Sequence, residues 1–390
     1  MKRISIILLA CVVFSCGRTG KEVSFTVKNS LPLKRNEVVT ISAAHLAAFT
    51  DEEKKSVKVL DENGAPLEQQ FVDSNGDSIS DELLFEAIFD SGQQRSFKLA
   101  VTDKIPAATE QRTFGRFVPE RIDDFAWENE LVAFRTYGPE AQRLVDEHEK
   151  GGTLSSGLDC WLKRVSYPVI DKWYKKNTDG GSYHKDDGEG YDPYHVGASR
   201  GCGGIGVWVH DSLFVSKNFT TYRVLANGPL RTTFELTYAP WAADGKTVNE
   251  KKTISIDKGN QLYKVTVHID SADALPNCTI GITLHEKTGA TKADSTKAWF
   301  RYWETIDDSE IGTGVVIDPE YVIGHLDYRT TKKDLSQLYV ITKPQQNQVI
   351  YYTGFAWKKA GILTTPEAWD QYLTDFSARI ASPLEPVFAK

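Results

Sequence analysis

Short runs in which apolar and polar residues alternate dominate this chain, and a period of two marks strands that bury one face. Val23-Ser24-Phe25-Thr26-Val27, Val57-Lys58-Val59-Leu60 and the run from Leu83 to Phe89 come first, separated by Asn-Gly and Ser-Gly turn signals. Residues 23–104 therefore predict a small immunoglobulin-like β-sandwich. A polar, proline-marked stretch at 105–119 reads as a linker. Strand-like runs then recur at 131–137, 221–224, 230–238, 251–256, 263–269, 278–284, 314–317, 338–342 and 349–352, with a helix expected at 366–382. So many strands in residues 120–390 predict a large second sandwich and an all-β protein.

The N-terminus breaks this pattern. Lys2-Arg3, an apolar run from Ile4 to Phe14 and then Ser15-Cys16-Gly17 have the layout of a secretory signal over residues 1–16. The run is too short for a permanent membrane span. Cys16 after Ser15 resembles a lipobox, so the expectation is a protein held in the cell envelope by a lipid on Cys16, with the membrane as a partner through that anchor.

Composition narrows the function classes. A net charge of −7 argues against nucleic acid as a partner, because such binders carry a basic stripe. Nine tryptophans and sixteen tyrosines supply rings of the kind that stack on sugar faces, although core packing takes most aromatics. Cys160, Cys202 and Cys278 remain beyond the signal, and an envelope location permits one disulfide among them. A Cys160–Cys202 bridge would pin the segment between them. Asp73, Asn75, Asp77 and Asp81 alternate around Gly76, which fits either a structural calcium loop or an acidic hairpin turn. No cofactor is expected for catalysis.

Tyr183 to Gly204 concentrates the candidate chemistry. It holds two of the chain's eight histidines, His184 and His195, with Tyr183, Tyr191, Tyr194, Arg200 and four acids between glycines. Long irregular segments of this sort in compact domains are usually functional or disordered, and interleaved Tyr, His and Pro argue against disorder.

Several blocks carry a family resemblance. Asp123-Asp124-Phe125-Ala126-Trp127-Glu128-Asn129, Ala133 to Pro139, Asp159 to Tyr174 and Ser199-Arg200-Gly201-Cys202-Gly203-Gly204, in that order, resemble domain-of-unknown-function family 4861. The resemblance runs from Val23 onward and implies a secreted, carbohydrate-processing protein. A similar protein of ulvan breakdown is an oligosaccharide dehydratase that leaves a 4,5-unsaturated sugar at the non-reducing end. Val224 to Tyr238 is also similar to a strand-turn-strand of the galactose-mutarotase-like supersandwich, which implies that fold for the large domain.

Dehydrating a terminal uronic acid needs a base at C5, an acid at the C4 hydroxyl and a cation at the carboxylate. His184 and His195 are expected as the acid/base pair, with Tyr194 as an alternative acid and Arg200 as the carboxylate clamp. Arg135 and Tyr137, alternating on one strand, are expected in the substrate shell with Trp161, Lys163, Tyr183 and His285. An acidic oligosaccharide is the expected partner. Two alternatives stay open: a glycoside hydrolase recruiting Asp186, Asp187, Glu189 or Glu128, and a glycan-binding lipoprotein without catalysis.

Overall fold

The computed structural model describes residues 21–106 and 110–388. The signal segment and Cys16 lie outside the described residues. Among the described residues, no helix is long and apolar enough to cross a membrane.

The alternating N-terminal runs pair as their pattern dictates. Glu22–Lys28 lies antiparallel to Gln94–Val101, with Phe25 opposite Phe97, and Val57–Leu60 pairs on the far side of Gln94–Val101. A second sheet sets Glu82–Phe89 between Arg35–Ser42 and Gln69–Val72. Their inner faces meet in a core of Phe25, Val39, Ile41, Phe85, Phe97 and Leu99. This is the small immunoglobulin-like sandwich. Its first sheet is completed from the other end of the chain, because Pro386–Phe388 pairs with Glu22–Lys28. The C-terminal segment expected within 120–390 thus belongs structurally to the first sandwich. The expected linker at 105–119 also needs correction: Phe114–Val118 is a strand, paired with Asp124–Glu128.

The rest of the chain is a galactose-mutarotase-like β-supersandwich, so the protein is all-β. A large antiparallel sheet runs from Phe219–Asn227 through Arg231–Tyr238, Lys246–Asp257, Leu262–Asp270, Gln348–Trp357, Ser309–Ile317 and Trp299–Ile306 to Ala290–Asp294. One face of this sheet sends Phe234, Ile254, Val265 and Phe355 into the main core. The facing strands Cys202–Val209, Cys278–Thr283 and Gln337–Thr342 contribute Ile205, Ile280 and Val340. Pro366–Ala381 is the expected helix, capped by Thr365, whose side chain accepts from Ala368 N–H. It lays Trp369, Leu373 and Phe376 against Leu262, Trp299 and Val316.

A third sheet places the candidate chemistry. Phe114–Val118, Asp124–Glu128, Ala133–Thr136, Asp159–Lys163 and Gly190–Tyr191 pair in that order. Phe134, Cys160 and Leu162 point into the main core. Trp161 points the other way and is covered by Trp173, Tyr174 and Tyr183. Both faces are therefore buried, and Arg135 and Asp159, paired in register, are enclosed between the sheet and the helix Ile170–Thr178.

Candidate functional site

Tyr183 to Gly204 crosses two polar centres on its way from the helix Ile170–Thr178 into the strand Cys202–Val209. The first is built around Arg135. Its guanidinium donates to Asp159 at 2.5 Å, to Asp192 at 2.8 Å and to the Tyr183 hydroxyl at 2.9 Å, with Asp124 at 3.7 Å. Tyr137 and Tyr174 donate to Asp159 and Asp124. Arg121 donates its Nε–H to Tyr183 from the outside at 3.1 Å. Three carboxylates share two cations out of water, and burial raises all three. Asp124 is pushed up to about 7 by burial, against the pull of Arg135 and Arg121. Asp159 and Asp192 move in the same direction for the same first reason. His184 sits on the rim with 57% of its side chain exposed, Nδ1 at 2.7 Å from the Asp192 carbonyl oxygen.

The second centre lines a cavity of about 290 Å³. His195 and His285, Lys287, Lys332, Lys333 and Asp334 are among its walls. His195 is 59% exposed and its Nε2 lies 3.2 Å from Asp334 Oδ1. Gly197 makes that approach feasible: its φ is +50°, and a Cβ there would stand 2.1 Å from Asp334 Oδ2. His285 follows the strand Cys278–Thr283 by two residues, in a left-handed conformation, φ 35°. Its Nδ1 meets Glu304, and its Nε2 lies 2.9 Å from the His195 carbonyl oxygen. Burial alone would lower the His285 pKa; the bond to Glu304 and its charge outweigh that and raise it. Lys287 is tied to the Thr330 carbonyl, whereas Lys332 and Lys333 are exposed on the rim.

The two centres do not bring His184 and His195 onto a shared partner. His184 meets Asp192 and His195 meets Asp334. Tyr194 lies between the centres, edge-on to His285, with its hydroxyl buried and without a hydrogen-bond partner among the described residues. Asp334 and Glu304 were not singled out from the sequence. They reach the histidines from distant strands and turns, and no local spacing announces them.

Other expectations are corrected. Arg200 is 2% exposed and points inward, donating to Ser156 Oγ at 2.8 Å, so it presents no clamp to solvent; burial pushes it down to about 10. Gly281 leaves room for it, since a Cβ there would stand 2.6 Å from Arg200 Cγ. Lys163 is buried and fully engaged, with Glu128 at 2.7 Å and the carbonyls of Asn129 and Tyr167. Glu128 in turn accepts from Val169 and Ile170 N–H at the start of the helix Ile170–Thr178. Trp161, Tyr137, Arg135 and Tyr183 are likewise interior, so this group supports the site from beneath rather than touching a ligand.

The remaining acids and cysteines are also accounted for. Asp186 is paired with Arg164, Asp187 with Lys176, and Glu189 with Lys172 and Tyr167. Asp73 accepts from Gly76, Asp77 and Ser78 N–H, and Asp81 accepts from Ser74 and Asn75. That is a self-capped turn. Among the described residues, no group of three or more His, Cys, Asp or Glu is placed to hold a metal ion. Cys160, Cys202 and Cys278 are buried free thiols, so the Cys160–Cys202 bridge is not formed.

The comparisons with known proteins agree with this architecture. A protein of Formosa agariphila named "Uncharacterized protein P7" is 42% identical over 385 residues, covering 97% of each chain. Among solved structures, a glycosyl hydrolase family 38 protein from Enterococcus faecalis superposes with a TM-score of 0.52 at 12% identity over 95% of this chain. An α-mannosidase from Enterococcus faecalis V583 gives 0.53 at 12% identity. The present chain spans about half of each, 47% and 46% of their lengths, so the likeness is one of fold. The fold is thus one that carbohydrate-acting enzymes use. The model of one family, "Domain of unknown function (DUF4861)", matches residues 27–385, and the chain belongs to that family.

Proposed function

We propose that the protein is a carbon–oxygen lyase that dehydrates the non-reducing-end uronic acid of an oligosaccharide to a 4,5-unsaturated uronate. The observation that carries this reading is the His195–Asp334 pair on a cavity bordered by Lys287, Lys332 and Lys333. His195 Nε2 lies 3.2 Å from Asp334 Oδ1; in this reading the proton sits on Nε2, toward that carboxylate, and the lone pair on Nδ1 takes the C5 proton. The C5–H electrons form the C4=C5 bond, the C4–O bond breaks, and the proton leaves with the hydroxyl as water. Charge growing on the C5 carboxylate is met by the lysines, which act as point cations. Side-chain proton transfer completes the balance without a cofactor. Asp186, Asp187, Glu189 and Glu128 are each held in ion pairs, which disfavours a hydrolase built on them.

The test is incubation with uronate-terminated oligosaccharides, followed by ultraviolet absorbance of the conjugated double bond and by reducing-sugar release. Rising absorbance without chain shortening supports dehydration. Reducing sugar without absorbance would replace it with hydrolysis, and binding without either product would make the protein a glycan binder.

A further inference from the structure

A second polar cleft lies on the opposite side of the large sheet from the main core. Along that face the sheet alternates hydroxyls: Thr233 opposite Ser255, and Thr253 opposite Thr266. Thr233 and Ser255 are hydrogen-bonded at 2.9 Å. Lys264 stands in the same row, between Ser255 and Tyr352 in register. Residues of the first sandwich, Thr40, Val72, Ser74 and Glu82, roof the row and close a cleft of about 390 Å³. That is within the range of small-ligand sites.

Charge in the cleft is unevenly satisfied. Asp257 spends both oxygens on Arg231, at 2.5 and 2.8 Å, and Glu82 faces Arg231 at 3.7 Å. Lys264 is half-buried and, among the described residues, has neither a carboxylate within ion-pair distance nor a hydrogen-bond acceptor for its ammonium. Burial, and then Arg231 nearby, hold it below the usual lysine range. A desolvated ammonium facing a cleft is costly unless something anionic arrives there. A row of hydroxyls that both donate and accept suits a polyol.

We propose that this cleft binds a saccharide carrying an anionic substituent, with Lys264 taking the anion and the Thr233, Thr253, Ser255 and Thr266 hydroxyls taking the sugar hydroxyls. No lining residue is shared with the His195 cavity, so the cleft is a separate site. Its floor and roof come from different sandwiches, so an occupant would bridge them.

Calorimetric titration of the full chain with glucuronate, glucose and sodium sulfate tests this. Glucuronate should bind, glucose should bind more weakly, and Lys264→Met should weaken glucuronate by roughly 10- to 100-fold while leaving glucose unchanged. Ser255→Ala combined with Thr253→Val should weaken both sugars, and serves if Lys264→Met misfolds. Any glucuronate taken by the His195 cavity persists in Lys264→Met as a separate component, and turnover of a uronate-terminated oligosaccharide reads that cavity, so loss of turnover there and loss of binding here are separately read. Equal glucuronate affinity in wild type and Lys264→Met, no glucuronate binding at all, or sulfate binding as tightly as glucuronate would each overturn the proposal.

Discussion

His285 holds the backbone of His195: its Nε2–H donates to the His195 carbonyl oxygen at 2.9 Å while Nδ1 faces the Glu304 carboxylate. Both ring nitrogens therefore face acceptors, and only the doubly protonated ring satisfies both. The catalytic candidate is thus positioned by a neighbouring imidazolium.

That arrangement fixes a pH response. The folded-state pKa of His285 is raised above its unfolded value, so its stabilisation is fully present below about pH 6.5 and is lost as pH rises through the folded value. Amide hydrogen exchange around Val196 to Ser199, corrected for intrinsic rates, should accelerate as pH climbs above that point. Glu304→Gln should show the faster exchange already at pH 6. Equal protection across this range in the wild type would remove His285 as a latch.

His195→Ala should lower turnover of a uronate-terminated oligosaccharide by about 10²- to 10⁴-fold, the usual contribution of a positioned base. Its side chain is mostly exposed, so the melting temperature should hold. Asp334→Asn should keep the fold and lower kcat less, because it weakens orientation without removing the base. Steady-state kinetics beside thermal melts separate these effects, and full activity in His195→Ala would end the assignment.

The strands at 231–270 and the helix at 366–381 were legible because each buries one face, so their hydrophobic period survives in the sequence. Cys202–Val209 was not, because its Gly-rich start carries no side chains to alternate. The same limit governed the site. His195 and His285 stood out by their local company, but Asp334 and Glu304 arrive through tertiary contacts. Arg135, Lys163 and Arg200 looked like ligand groups because a sequence does not reveal that a charged side chain is enclosed. Buried partners such as Asp159 and Glu128 come from other strands, and Arg200 is accommodated by Gly281.

Arg135→Met should unfold the region beneath His184 more than its size suggests. It leaves Asp124, Asp159 and Asp192 buried with only the more distant Arg121 near them, a loss of about 3–5 kcal/mol for a broken buried pair. Asp124, raised to about 7, takes up a proton below that pH, so the destabilisation should shrink toward pH 5 and be largest above pH 7. Denaturant melts at the two pH values check the sign. A loss independent of pH would mean that packing against Trp161 and Tyr183, rather than charge, dominates.

Gly197→Ala tests the geometry of the His195–Asp334 pair without replacing either residue. At φ +50° the substitution is strained, and the new Cβ would stand 2.1 Å from Asp334 Oδ2 and 2.7 Å from His195 Nε2, so the pair must be pushed apart. Strain alone costs on the order of 1 kcal/mol of stability. Gly151→Ala is the control, because its φ is +91° and nothing lies within 4 Å of the added Cβ. Both variants should lose similar stability, but only Gly197→Ala should lose turnover, by roughly 10- to 100-fold as the orienting carboxylate is displaced. Matched activity in the two variants would show that Asp334 does not position His195 for the reaction.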